Sequence, residues 1–409
     1  MNINTGDTAW VLISTALVML MTPGLAFFYG GMVRRKNVLG VLMQCFVILA
    51  ALSLQWVLIG YSLSFAPGTG FWGGFGWAGL RGVGLEPYAD YSATIPHQAF
   101  MIFQGMFAVI TPALIIGAFA ERMKFSAFLV FTLLWATFVY DPICHWVWGI
   151  GGWLRTLGAL DYAGGTVVHI NAGFAALVTA LIIGKRKNLG DNPPVPHNLP
   201  FIALGTALLW FGWFGFNAGS ALGANGLAVN AFVTTNTAAA AAGLSWAVIE
   251  WIRHGKPTMF GTASGAVAGL VAITPAAGFV SVIPAIIIGL SVSLLCFIMV
   301  NIKGKLGYDD SLDAFGVHGV GGMWGALATG LFASKLVNPA GADGLFFGNP
   351  KLIMVQAIAV GVTVIYTIIV TAIIYKLVDM FIGVRVSEKE ELMGLDLTQH
   401  SERAYTVIE

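Results

Sequence analysis

Runs of about twenty apolar residues, separated by short clusters of Gly, Pro, Lys and Arg, recur along almost the whole chain. A helix needs about 20 mostly apolar residues to cross bilayer hydrocarbon. By that measure the pattern predicts eleven spans: 8–31, 38–65, 97–120, 125–148, 164–184, 199–221, 229–253, 258–276, 280–302, 314–334 and 350–378. Helices are expected because lipid offers no partner to backbone amides. Lys and Arg fall in alternate connections, as cytoplasmic loops should hold them. All but Arg81, Arg155, Lys335 and Lys351 of the 20 lie on one side under this count. The N-terminus is therefore expected outside and the C-terminus inside, which an odd number of spans permits.

Composition agrees. The 409 residues are 57% hydrophobic and only 10% charged, with a mean hydropathy of +0.83, too apolar for a water-exposed surface. The 52 glycines suit close helix packing in lipid. A net charge of +1 gives no reason to expect a nucleic-acid partner. Cys45, Cys144 and Cys296 sit in apolar runs and are odd in number, so they read as packing residues. No basic residue precedes the first apolar run, so that run reads as a permanent helix and not a signal peptide. The segment 68–96 is long, rich in Gly and aromatics, and expected outside. Its GTGFWG matches a dinucleotide-binding pattern without the surrounding βαβ unit, and the match is set aside.

Two histidines lie inside spans in similar small-residue settings: His169 in GGTVVHINAGFAAL and His318 in FGVHGVGGMWGAL. An intramembrane His is costly unless it pairs or faces water, and so reads as functional. Each occurs five spans into a half, which predicts inverted repeats, about 8–184 and 199–334, meeting at a midplane site, followed by helix eleven at 350–378. Two neutral imidazoles can satisfy one another by N–H to bare nitrogen and can pass a proton. Without a third ligand they make a poor metal site, and no metal or cofactor is expected. Gly261, Gly265 and Gly269 read as helix packing.

Phe103 and Phe107 share a helix face that Leu114 continues. Such a stripe is ordinarily packing, but Trp148, Phe216 and the Ser220 hydroxyl also fall toward the outside. Aromatic faces attract a cation within about 6 Å, most strongly at Trp. Trp148 reads equally as an interfacial anchor. Asp161 reads first as a cap on the fifth span, with attraction of a cation as the second reading. Asp141, in VYDPICH, lies deep and has no partner that the sequence identifies.

The motifs FQGMFAVIT (103–111), GALDYAGGTVVHINAG (158–173), WFGFNAGS (213–220), ITPAAG (273–278) and FGVHGVGG (315–322) together closely resemble the ammonium transporter family (Amt/Mep/Rh), on its Amt side. The resemblance runs from PGLAFFYGG (23–31) to the tail at 383–405. It implies an all-α, eleven-helix, N-out and C-in protomer of a homotrimer in a prokaryotic cytoplasmic (inner) membrane, with a transporter domain at 1–378 and a cytoplasmic regulatory tail at 379–409 that responds to PII-type signalling proteins. It assigns Phe103, Phe107, Trp148 and Ser220 to recruitment, Phe107 and Phe216 to a gate, and His169 and His318 to the pore. Trp213, Leu114, Leu25, Phe28 and Tyr29 would line the conduit, Thr274 would lie near the histidines, and Asp161 would be the buried aspartate below the recruitment site.

The expected activity is passage of ammonium, deprotonated at the gate, as ammonia with a separately relayed proton; methylammonium is a candidate competitor. The alternative is an ammonium sensor signalling through its tail with little flux. The stretch after the last span holds no appended catalytic or kinase domain, which favours transport. H-E-x-x-H and G-x-S-x-G are both lacking, so an enzyme is not expected.

Overall fold

Each predicted span is helical in the computed structural model, which describes residues 2–187, 189 and 195–405. The last four residues of the predicted tail lie outside the described residues. The helices are α1 Thr5–Met32, α2 Arg35–Phe65, α3 His97–Phe119, α4 Phe125–Leu157 with a break after Trp148, α5 Gly165–Ile183, α6 Leu199–Ala221, α7 Gly226–His254, α8 Met259–Ile273, α9 Val282–Ile302, α10 at 315–332 and α11 Pro350–Ile382. Among the described residues nine of these are long and apolar enough to cross a bilayer; α8 and α10 are shorter or less apolar. No strand occurs among the described residues, only isolated bridges. The protein is an all-helical, multi-pass membrane protein.

Burial divides the helices. α3 and α5 are enclosed, whereas α7, α9 and α11 turn Leu, Ile, Phe and Val side chains such as Phe232, Ile283 and Ile369 outward. Outward apolar side chains are what lipid requires. The predicted Gly stripe on α8 packs on α7: a side chain on Gly265 would collide with Trp246 and Ala242, and one on Gly269 with Ala238.

α5 and α10 share one local construction. Asp161 stands eight residues before His169, and Asp310 eight before His318. Each carboxylate accepts from the first amides of its helix, Gly164 to Val167 for Asp161, Ala314 and Phe315 for Asp310. Three residues after each Asp the backbone turns left-handed, at Gly164 (φ 116°) and Asp313 (φ 62°). Each helix then opens with a π turn carrying its histidine, Gly165–Ile170 and Phe315–Gly319. Four residues beyond each histidine a glycine lets the helices cross antiparallel. A side chain on Gly173 would overlap the Gly319 backbone, and one on Gly322 would lie 3.0 Å from His169 Cβ.

Charges gather at the predicted cytoplasmic end. Arg186 grips Asp309 with two bonds, Nη2 to Oδ1 at 2.8 Å and Nε to Oδ2 at 2.9 Å, and reaches Glu121 at 3.3 Å. Arg34 pairs with Glu121 at 2.8 Å and Arg122 with Asp309 at 3.3 Å. Burial would raise the Glu121 carboxyl, but Arg34 and Arg186 outweigh it and hold it below its ordinary value. Arg186 and Arg122 do the same for Asp309. Burial wins at Asp310, which is pushed up to about 6. The tail docks on the same face. Asp396 accepts from the Gly40 amide at 2.8 Å, Asn37 Oδ1 accepts from the Leu395 amide at 2.8 Å, and Glu391 accepts from Lys187 N at 2.7 Å.

Gly173→Val is expected to force the two histidine helices apart, at the cost of about 1–3 kcal/mol that overpacking carries, read as a lower Tm in detergent. Because Glu121 and Asp309 titrate below their unfolded values, their contribution is present above the ordinary carboxylate range, about pH 4, and is lost as pH falls through their lowered folded values. Arg186→Met should cost about 3 kcal/mol by leaving buried carboxylates undercompensated, and should flatten this acid limb in pH-dependent thermal melts.

Candidate functional site

α3, α4 and α6 bring the predicted outer residues together. Phe103 and Phe107 are one helical turn apart, with ring centroids at 5.0 Å. Trp148, in the last turn of α4 before its break, meets Phe107 edge-on at 5.8 Å and 88°. Ser220 follows the π turn Phe214–Ala218 of α6 and donates its hydroxyl proton to Phe216 O at 2.8 Å, leaving its oxygen free to accept. Phe216, carried on that π turn, lies over Phe107 at 4.3 Å and 40°. Both rings are fully buried.

Below them the rings continue in file. Phe216 is 6.1 Å from His169, and His169 is 5.3 Å from His318 with planes 15° apart. Trp213 stacks beside His169 at 5.4 Å, and its indole N–H donates to Thr274 Oγ1 at 2.8 Å. Thr274 therefore fixes Trp213 and acts on the histidines only through it. The histidines, Trp213, Leu25, Phe28, Leu114 and Phe216 share a small cavity of 10 Å³, near the least that admits one water-sized molecule. Past His318, a second cavity of 170 Å³ reaches Tyr29, Glu250 and Asp313. Tyr29 serves this inner cavity, its hydroxyl donating to Leu114 O at 3.0 Å.

The expected hydrogen bond between the imidazoles is not formed. Both nitrogens of His169 and Nδ1 of His318 have no partner among the described residues, although the two rings are near-parallel with centroids 5.3 Å apart. These nitrogens lie at a mostly apolar cavity and can bond a small donor or acceptor there.

Asp161 is a cap, as its first reading held. Its carboxylate accepts from four amides at 2.7 to 3.0 Å, and its carbonyl accepts from Trp148 Nε1 at 2.8 Å. Burial pushes this carboxyl above its ordinary range while the four amides pull against the rise. Asp161 thus sets both the start of the His169 helix and the pose of Trp148. Asp141, which the sequence left without a partner, accepts from Gln55 Nε2 at 2.8 Å and from Ser64 Oγ at 3.3 Å; it lies outside the ring file. Sequence reasoning passed over Asp310, although the shared spacing of eight residues to a histidine was a legible signal. The π turns had no such signal.

A family model described as the Ammonium Transporter Family matches residues 9–405. The chain is 58% identical over 401 residues to the ammonium transporter of Bacillus subtilis (strain 168), covering 98% of each chain. Among solved structures it is similar to Candida albicans Mep2, with a TM-score of 0.90 and 39% identity over 98% of this chain and 90% of that one. It is also similar to a protein described as a Sensor Amt Protein, with a TM-score of 0.88 and 29% identity over 97% and 98%.

Asp161→Ala removes the acceptor of four buried amides. It should cost at least the roughly 1–2 kcal/mol of a lost helix cap, measured as a fall in Tm of the purified protein.

Proposed function

The chain belongs to the ammonium transporter family, and from that premise we propose that it carries ammonium across a membrane as uncharged ammonia, with the proton handled separately. The observation that supports this reading is the small, mostly apolar 10 Å³ cavity beside His169 and His318, three of whose imidazole nitrogens are unpartnered among the described residues.

The energetics favour splitting the ion. A bare monovalent cation moved into a low-dielectric medium costs about 20 kcal/mol on idealised Born estimates, while a cation–π contact returns about 2 kcal/mol. Trp148, Phe103, Phe107 and the free oxygen of Ser220 supply enough attraction to hold ammonium at the outer mouth, and too little to draw it through. Ammonia carries no such cost. Deprotonation near the Phe107–Phe216 gate lets the neutral molecule pass, while His169 and His318 accept and relay the proton. Potassium has no proton to give up, so it is excluded without a size filter.

The family reading extends to eleven crossings with N-out and C-in orientation, inverted repeats built on the α5 and α10 constructions, a homotrimer, and a docked tail facing a PII-type protein at the cytoplasmic membrane. A sensor with little flux is the rival reading. The higher identity to a named transporter than to the sensor-type protein favours transport.

With both His169→Leu and His318→Leu in place, the protein in liposomes on a solid-supported membrane should lose either its ammonium-driven current or its exclusion of potassium. Unchanged current together with unchanged exclusion would falsify the proton-relay role, and a wild-type protein without ammonium current would point to the sensor.

A further inference from the structure

α11 follows both histidine helices in the chain and has two unlike faces. Ile365, Ile369 and Ile373 are exposed on one, while Gln356, Thr367 and Thr371 are fully buried on the other. An amide or hydroxyl inside a bilayer must find its partner in the protein, and each of these does. Gln356 meets the loop that leads into α5. Its Oε1 accepts from Leu160 N at 2.8 Å, and its Nε2 donates to Leu160 O at 2.8 Å and to Ala326 O of α10 at 2.9 Å. Thr371 Oγ1 accepts from Trp135 Nε1 of α4 at 3.0 Å. Thr367 Oγ1 donates to Asn171 Oδ1 of α5 at 2.9 Å.

Hydrogen bonds of this kind between membrane helices are ordinary glue. What sets the Thr367 bond apart is the place of Asn171. This residue stands two past His169, is fully buried, and donates Nδ2 to Val167 O at 3.2 Å, inside the π turn Gly165–Ile170 that carries the histidine. A side-chain amide has one accepting end and one donating end. With the Thr367 hydroxyl on its oxygen, the amide is held with its NH2 group toward Val167. Thr111 and Thr206 give their protons to carbonyls four residues back in their own helices, whereas Thr367 gives its proton to α5. No hydrogen bond orients the His169 ring, since both its nitrogens lack a partner among the described residues. Its place therefore depends on the π turn that carries it and on the Trp213 and Phe216 rings packed beside it. The corresponding position of α10, two past His318, is Val320, which can make no such bond.

We propose that Thr367 is a positioning residue for His169, bracing the π turn through Asn171 and so holding the imidazole at its place in the ring file. Gln356 holds the same helix at its other approach, through the residue before Asp161. The bracing rests on the hydrogen bonds; its consequence for transport rests on the reading of His169 as a pore residue.

The test compares Thr367→Val, Thr367→Ser and Thr371→Val in the full-length protein. Thr367→Val and Thr371→Val each remove one buried interhelical hydroxyl from α11, so both should lower Tm in detergent, but only the first touches Asn171. In liposomes with 15N-labelled histidine, the His169 ring signals, assigned by their loss in His169→Leu, should move in Thr367→Val, return in Thr367→Ser and stay in place in Thr371→Val. Maximal ammonium-driven current on a solid-supported membrane should fall about tenfold in Thr367→Val, within the roughly hundredfold that a misplacement of about 1 Å can cost. The half-saturating concentration, read as set at the outer site, should not change, and Thr367→Ser should restore the current. Thr367→Ala, which removes the same hydroxyl, replaces Thr367→Val if that variant does not fold. Signals that stay in place in Thr367→Val, or move equally in Thr371→Val, overturn the positioning role. Signals that move while current and potassium exclusion stay unchanged, when the His169→Leu, His318→Leu double variant alters either, overturn its consequence for transport. If the double variant alters neither, the pore reading itself fails, and the spectrum alone decides the bracing.

Discussion

A charge in hydrocarbon loses its hydration and recovers nothing unless the protein supplies an opposite charge or a set of aligned dipoles. That constraint organises this molecule at every scale. Arg34, Arg122, Arg186, Glu121 and Asp309 meet at one end, where each buried charge has a partner. Asp161 is held inside by four amide dipoles in place of a counter-ion. Between these ends the small cavity beside His169 and His318 has mostly apolar walls, with no charged side chain lining it.

The same constraint accounts for the paired helices. His169 and His318 lie in the first turns of helices that begin among buried residues, and such a helix leaves its first amides unpaired. Asp161 and Asp310 fill that need. The π turns that follow carry the two histidines, and Gly173 and Gly322 let the two backbones approach closely, with the imidazole centroids 5.3 Å apart.

Much of the architecture was legible because lipid imposes a one-dimensional rule. Long apolar runs and the distribution of Lys and Arg located all eleven helices to within a few residues, with α8 ending three residues earlier than its run. The aromatic and histidine residues of the site were legible through their depth and their motifs. Asp141 was not, since Gln55 and Ser64 lie more than seventy residues away and nothing local announces them. The lack of a bond between the imidazoles was equally hidden, because ring orientation depends on π turns that periodicity does not encode.

Sequence alone determined the apolar solvent, the helical stretches and the kinds of side chain available within them. Those properties depend on composition counted along the chain. Tertiary structure alone decided that Phe216 closes on Phe107, that Thr274 holds Trp213 and not a histidine, and that Tyr29 serves the inner cavity. Each is a matter of rings and hydroxyls from different helices meeting within a few ångströms, and only packing fixes distances on that scale.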